Sequence, residues 1–232
     1  MTVTSAVRSL AVVQRPDAEP QPSSSRPPLG SGLSLQPGRL LAEHAEYVAT
    51  LGCNQQAKRL RQRGAEEHLA AFADLRDWMG RPTAVRVAEA RRFGSWPFLT
   101  WCFVTGRLRP DAELLVMKQK GGHFTTWAAF HRRDADRAMT AALSLGWCQE
   151  WASQVAGAGL ALVCLTRGID LEELTDEAIR AVREAIESSP VLAEVTRTHL
   201  GGRLYGLSVL AFQLGILPAP PEHPNRRPTT LA

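Results

Sequence analysis

The chain has 232 residues, 44% of them hydrophobic, with 27 Lys and Arg against 23 Asp and Glu for a formal net charge of +4. That size allows a real core, as one large helical domain or two small ones, and the small basic excess tilts the chain toward polyanions without defining a partner. No stretch approaches the ~20 apolar residues of a membrane span, since the longest candidate, Val155 to Leu165, is short and rich in Gly and Ala.

The four cysteines, Cys53, Cys102, Cys148 and Cys164, are widely separated within or beside apolar stretches. They lack the close pairing of a zinc or redox motif and are expected as small buried hydrophobes in a reducing, cytoplasmic setting. Met1 to Val13 lacks the pattern of a secretory signal.

Residues 1–38 are expected as a disordered leader, because Gln14 to Gly38 is dominated by Pro, Ser, Gly and polar residues. A proline-rich tail is expected over 218–232. The folded part is then 39–217, with a division into two sub-bundles placed near 106–122 or 157–168. Within it, apolar residues recur at spacings of three and four, so the expected class is all-α.

A first helix is predicted from Arg39 to Leu51, stopped by Gly52. A second, Asn54 to Met79, aligns Ala65, Leu69, Phe72 and Met79, with Gly64 as the point at which it would break. After a third helix over Thr83 to Phe93, Pro97 starts a fourth that is apolar on all sides (Phe98, Leu99, Trp101, Phe103, Val104) and is therefore expected at the centre. Pro110-Asp111 opens a short helix to Lys118, and Gly121-Gly122 makes a loop before a segment with Phe124, Trp127 and Phe130, read as core aromatics. Asp134 is the expected cap of one long helix running through Trp147 and Trp151 to Val155, with Gly157 and Gly159 marking its fraying or a close helix contact. Thr175-Asp176-Glu177 forms a cap and acidic first turn for a helix bearing Ile179, Val182 and Ile186. The last helix, Val195 to Leu214, stripes Leu200, Leu204, Leu207 and Ala211 and is closed by Gly215.

The segment Leu171 to Ile179, followed by Thr198-His-Leu-Gly-Gly-Arg-Leu-Tyr-Gly-Leu-Ser-Val-Leu-Ala-Phe-Gln-Leu-Gly215 and a proline-rich exit, resembles the end of the core-binding (SAM-like) domain of tyrosine recombinases, the phage-type integrases. The likeness covers about residues 160–222, more loosely from 43 onward. It implies a small helical bundle that clamps one face of recombination-site DNA and leads through a linker to a catalytic domain. The family's catalytic set of arginines, lysine, histidines and a tyrosine nucleophile has no match here. Tyr47 and Tyr205 are the two tyrosines, and neither stands in that pattern. The His223-Pro-Asn-Arg226 string has the family's spacing but lies in the tail. The expectation is a truncated or accessory protein with no catalysis of its own.

No nucleophile elbow, phosphate-cradling loop, zinc-protease or dinucleotide motif is present. The six histidines are scattered, Glu66-Glu67-His68 reads as a solvated helix face, and the carboxylates from Asp170 to Glu187 read as caps and surface charge. No cofactor or metal is expected. Basic residues cluster instead: Lys58, Arg59, Arg61 and Arg63; Arg86, Arg91 and Arg92; Lys118 and Lys120 beside the glycine pair; Arg132, Arg133 and Arg137. With Arg197 and Arg203 of the last helix, the expected phosphate-contacting set is Lys58, Arg59, Arg61, Arg63, Lys118, Lys120, Arg132, Arg133, Arg197 and Arg203. The expected partners are double-stranded DNA and a full-length recombinase or a second copy of the chain. The competing reading is a helical protein–protein adaptor in which the basic residues are incidental.

Overall fold

A computed structural model of the chain describes residues 36–117 and 122–219. The expected leader, apart from its last residues, and the tail beyond 219 lie outside the described residues, as do Lys118 and Lys120. Among the described residues every regular element is helical, as the three-and-four spacing requires, and no strand occurs. No described helix is long and apolar enough to cross a membrane.

Helix α1 (Pro37–Thr50) begins with proline in its first turn, where the missing N–H costs nothing. It absorbs Pro37 and Gly38, which the sequence reading assigned to the leader. Helix α2 (Gln55–Ala71) starts at Asn54, whose side chain accepts the Ala57 N–H at 2.9 Å. The expected break at Gly64 does not occur. Chain direction changes instead at Phe72 to Asp74, and Asp74 caps the short α3 (Leu75–Met79) by accepting the Arg76 N–H. Gly64 is a packing residue: a Cβ there would stand 2.7 Å from the backbone oxygen of Gly94. Only glycine lets α2 lie so close to the turn between α4 (Thr83–Arg92) and α5 (Trp96–Val104).

Helix α5 is the centre that its all-round apolar sequence predicts. Phe98, Leu99, Trp101, Cys102, Phe103 and Val104 are all buried, and α2 and α7 pack against it. Helix α6 (Ala112–Met117) is opened by Asp111, which accepts the Leu114 N–H at 2.8 Å. Arg86, expected on a basic surface, is buried: its guanidinium joins Asp111 at 2.6 Å and Thr83 at 2.8 Å, tying α4 to the start of α6.

The second half departs most from the predicted elements. The long helix from Asp134 is two helices. Helix α7 (Gly122–Phe130) meets α8 (Arg132–Ser144) at His131, so Asp134 lies in the first turn of α8 and is not its cap. Helix α8 ends at Gly146, which has φ +77°, a left-handed conformation that only glycine adopts without strain. A continuous helical run then follows: α9 (Gln149–Ala152), a π-helical stretch over Ser153–Gly159, and α10 (Leu160–Arg167). Gly157 and Gly159 therefore sit inside a helix, and a Cβ on Gly159 would meet the Arg203 backbone oxygen at 3.6 Å. The π stretch is the element against which α8 and α12 pack.

A 3-10 turn at Leu171–Glu173 and α11 (Asp176–Glu187) follow, the latter capped by Thr175 as predicted, with its oxygen accepting the Ala178 N–H at 3.1 Å. Helix α12 (Glu194–Gln213) buries Leu200, Leu204, Leu207 and Ala211, the expected stripe, and the chain turns at Gly215. Cys102 and Cys164 are buried as expected, whereas Cys53 is half-buried and Cys148 is exposed at the start of α9, where the connection from Gly146 leaves it uncovered.

The Gly64 contact is with backbone, which cannot swing aside, so Gly64→Ala should lower stability by about 1–3 kcal/mol. Gly201→Ala, in the middle of α12 with nothing within 4 Å of the new Cβ, should raise it by roughly 0.5–1 kcal/mol. Urea unfolding of both variants checks this pair of opposite signs.

Candidate functional site

The ten expected phosphate contacts divide according to what their side chains already hold. Lys58 donates to the Ala49 carbonyl at 2.6 Å, satisfying the end of α1. Arg63 pairs with Glu67 at 2.6 Å, one turn along α2. Arg197 donates to the carbonyls of Ser189 and Glu187 at 3.1 and 3.4 Å and so finishes the end of α11. Arg203 donates to the Gln154 side chain at 3.2 Å, and its burial between α12 and the π stretch lowers its pKa. Arg132 makes a long, mostly exposed pair with Asp136 at 3.6 Å, a geometry worth little. Arg59 and Arg133 are exposed and Arg61 is half-buried, and among the described residues none of the three has a hydrogen bond or ion pair.

Two of these clusters, far apart in sequence, are joined by an aromatic contact. Tyr47, in the last turn of α1, packs its ring 5.5 Å from that of Phe130, the final residue of α7. Phe130 is 40% exposed, and Arg132 and Arg133 follow it after His131. Arg61 is near enough to Tyr47 that its positive charge opposes the upward shift that burial imposes on the Tyr47 hydroxyl. The α1–α2 corner and the α7–α8 junction therefore meet at a partly exposed pair of rings, with Arg61 near Tyr47 and with Arg132 and Arg133 close to Phe130 in sequence.

A second cation reinforces this surface. Tyr47 stacks on Trp101 of α5, with planes 19° apart, and the Arg107 guanidinium lies 4.1 Å over the Trp101 ring. Arg107 also pairs with Glu43, which accepts Arg39 as well at 2.7 Å. Hydrogen bonding to Arg107, then to Arg39, holds the Glu43 carboxyl below its ordinary range. Glu43 is thus neutralised, which keeps this part of the surface cationic.

The sequence reading found Arg61 and Arg133 but not Tyr47, Phe130 or Arg107 as members of the site. The sequence points to Tyr47 only as a candidate nucleophile and to Phe130 only as core. The readable signal is the position of Phe130 two residues before a basic pair. The structure does not bring Arg197 or Arg203 to this surface through any described contact. An open groove of about 350 Å³ lies between α11 and α12 and is bordered by Arg183, Arg197, Glu187, Glu194 and Tyr205. Its two arginines are offset by two glutamates, so it offers no net attraction to an anion.

Beneath the surface lie two neutral histidines, one of which, His68, the sequence places on a solvated face. His68, taken as part of a solvated face, is fully buried among Phe72, Trp78 and Phe93, with Nδ1 2.9 Å from Ser95 Oγ. His44 is equally buried, with ring contacts to Phe98 and Trp101, and the Gln62 side chain is its polar neighbour. Burial depresses both pKa values to about 4.

No protein-family model, curated protein or solved structure matches the chain, so its function is argued from the residues themselves.

In the unfolded chain His44 and His68 protonate near pH 6.5, whereas in the fold they stay neutral down to about pH 4. Acidification therefore favours the unfolded state: stability is complete above pH 6.5 and falls toward pH 4 by up to about 1.4 kcal/mol per pH unit for each histidine. His44→Phe should remove one share of that slope and, by replacing two buried polar atoms with an apolar ring, cost little stability at pH 7.5. Thermal denaturation across this pH range reads both effects.

Proposed function

We propose that the chain binds double-stranded DNA by gripping its phosphate backbone with the surface formed where the α1–α2 corner meets the α7–α8 junction. The observation that carries this reading is the Tyr47–Phe130 contact, which brings the segment bearing Arg61 and the segment bearing Arg132 and Arg133 together at one patch of rings. Three arginines without carboxylate partners strong enough to neutralise them, Arg59, Arg61 and Arg133, are the natural phosphate contacts, because a cation already paired gains less from a second anion. The rings provide a flat surface against sugar or an unstacked base edge.

This use agrees with what the resemblance at α11 and α12 implies, a helical region that clamps recombination-site DNA beside a catalytic domain. On this reading the chain supplies grip and orientation. The phosphodiester chemistry belongs to a tyrosine-recombinase catalytic domain, on this or another polypeptide.

Fluorescence anisotropy with a labelled duplex over a salt series tests it. Affinity should fall linearly on logarithmic axes, and Arg61→Ala and Arg133→Ala should each flatten the slope by about 0.9 while weakening binding at low salt. Arg197→Ala, whose guanidinium is committed to two carbonyls, should leave the slope unchanged. Salt-independent binding, or equal slopes in all three variants, removes the reading. Absence of duplex binding together with formation of a defined complex with another protein would favour the adaptor instead.

A further inference from the structure

We propose that the groove between α11 and α12 seats a second copy of this chain, paired with the first around a two-fold axis. The groove has a volume of about 350 Å³ and is bordered by Arg183 and Glu187 on α11 and by Glu194, Arg197 and Gly201 on α12. Arg197 is committed to the carbonyls that end α11. The side chains of Arg183, Glu187 and Glu194 make no hydrogen bond or ion pair among the described residues, and the Arg183 Nε is shut away from solvent without a partner. An unsatisfied guanidinium nitrogen costs free energy, which a carboxylate reaching Arg183 from outside the chain offsets.

The order of the charges along the groove identifies what brings that carboxylate. Residues 188–193 join α11 to α12, so the two helices run antiparallel. Glu187 is the last residue of α11 and Glu194 the first of α12, so both stand at the connecting end, where two carboxylates outweigh Arg197. Arg183, one turn earlier on α11, stands farther in and is positive. A two-fold axis across the groove exchanges its ends, so that Arg183 of each copy meets the partner's Glu187 and Glu194. A polyanion or a polycation finds one end favourable and the other opposed, whereas a surface of this polarity is complementary to itself.

Apolar area for the contact lies beside the charges. Val191, in the connection, and Val195, in the first turn of α12, are 47% and 62% exposed, and Val195 is the most exposed large apolar side chain among the described residues. Val195 and Gly202 are nearly two turns apart on α12 and therefore share one side of it, and Gly202 also borders the groove. Covering the two valines adds a hydrophobic contribution that charge pairing alone lacks. This inference does not rest on DNA binding.

Sedimentation velocity of the full chain over a concentration series tests it. The parent should pass from monomer to dimer as concentration rises. Arg183→Glu and Glu187→Arg should each weaken self-association roughly tenfold or more, because each sets like charges against one another twice across the axis. An equimolar mixture of these two variants should recover the dimer. The reversed position of one then meets the reversed position of the other, and the unchanged Arg183 and Glu187 meet at the second contact. Damage to either fold cannot produce that recovery, and circular dichroism confirms that each variant is folded. Glu184→Arg, the same charge change on α11 outside the groove lining, should associate as the parent does. A parent that stays monomeric, a dimer that neither reversal weakens, or a mixture no stronger than its components overturns the proposal.

Discussion

Everything in the first half of the fold is arranged around the fact that α5 has no polar face. Its apolar residues from Phe98 to Val104 are buried on every side, so neighbours must cover it completely. Helices α2 and α7 do so directly, and His44 of α1 and His68 of α2 both reach the ring of Phe98. Covering α5 also fixes the surface above it. Trp101 turns its ring toward Tyr47 and Arg107, and Tyr47 reaches Phe130. The meeting of the two arginine-bearing segments is thus a consequence of the need to enclose one apolar helix.

The features legible in the sequence were those decided within a few residues. Thr175 and Asn54 act as caps because their side-chain oxygens reach an N–H three residues on, and α5 identifies itself by apolar residues on every side of its wheel, with Thr100 its one polar residue. Features decided across the fold were not legible. His68 follows two glutamates and looks like part of their exposed face, yet the aromatic neighbours that bury it come from α3, the end of α4 and α5. Gly64 looks like a helix breaker, and only the position of the Gly94 carbonyl shows why α2 needs it. The single long helix expected after Asp134 failed at Gly146, where a left-handed residue interrupts a sequence whose apolar spacing continues on either side.

The candidate surface was half legible for the same reason. A run of basic residues is visible in any sequence, but whether each cation is spent within the fold is not. Arg86 is consumed by Asp111, Lys58 by a helix end and Arg197 by two carbonyls. What remains, Arg59, Arg61 and Arg133, is smaller than the expected set and better defined. The meeting of two distant segments through Tyr47 and Phe130 had no local signature at all.

The π-helical stretch from Ser153 to Gly159 has a consequence of its own. Its hydrogen bonds skip one residue further than those of an α-helix, so the backbone coil widens and the rotational phase slips between α9 and α10. Trp151 before the slip and Leu160 to Leu165 after it are thereby aimed as no uninterrupted coil could aim them. The stretch serves as a spacer of angle rather than of length, and it lets one continuous rod present two differently oriented flanks to the helices that pack on it.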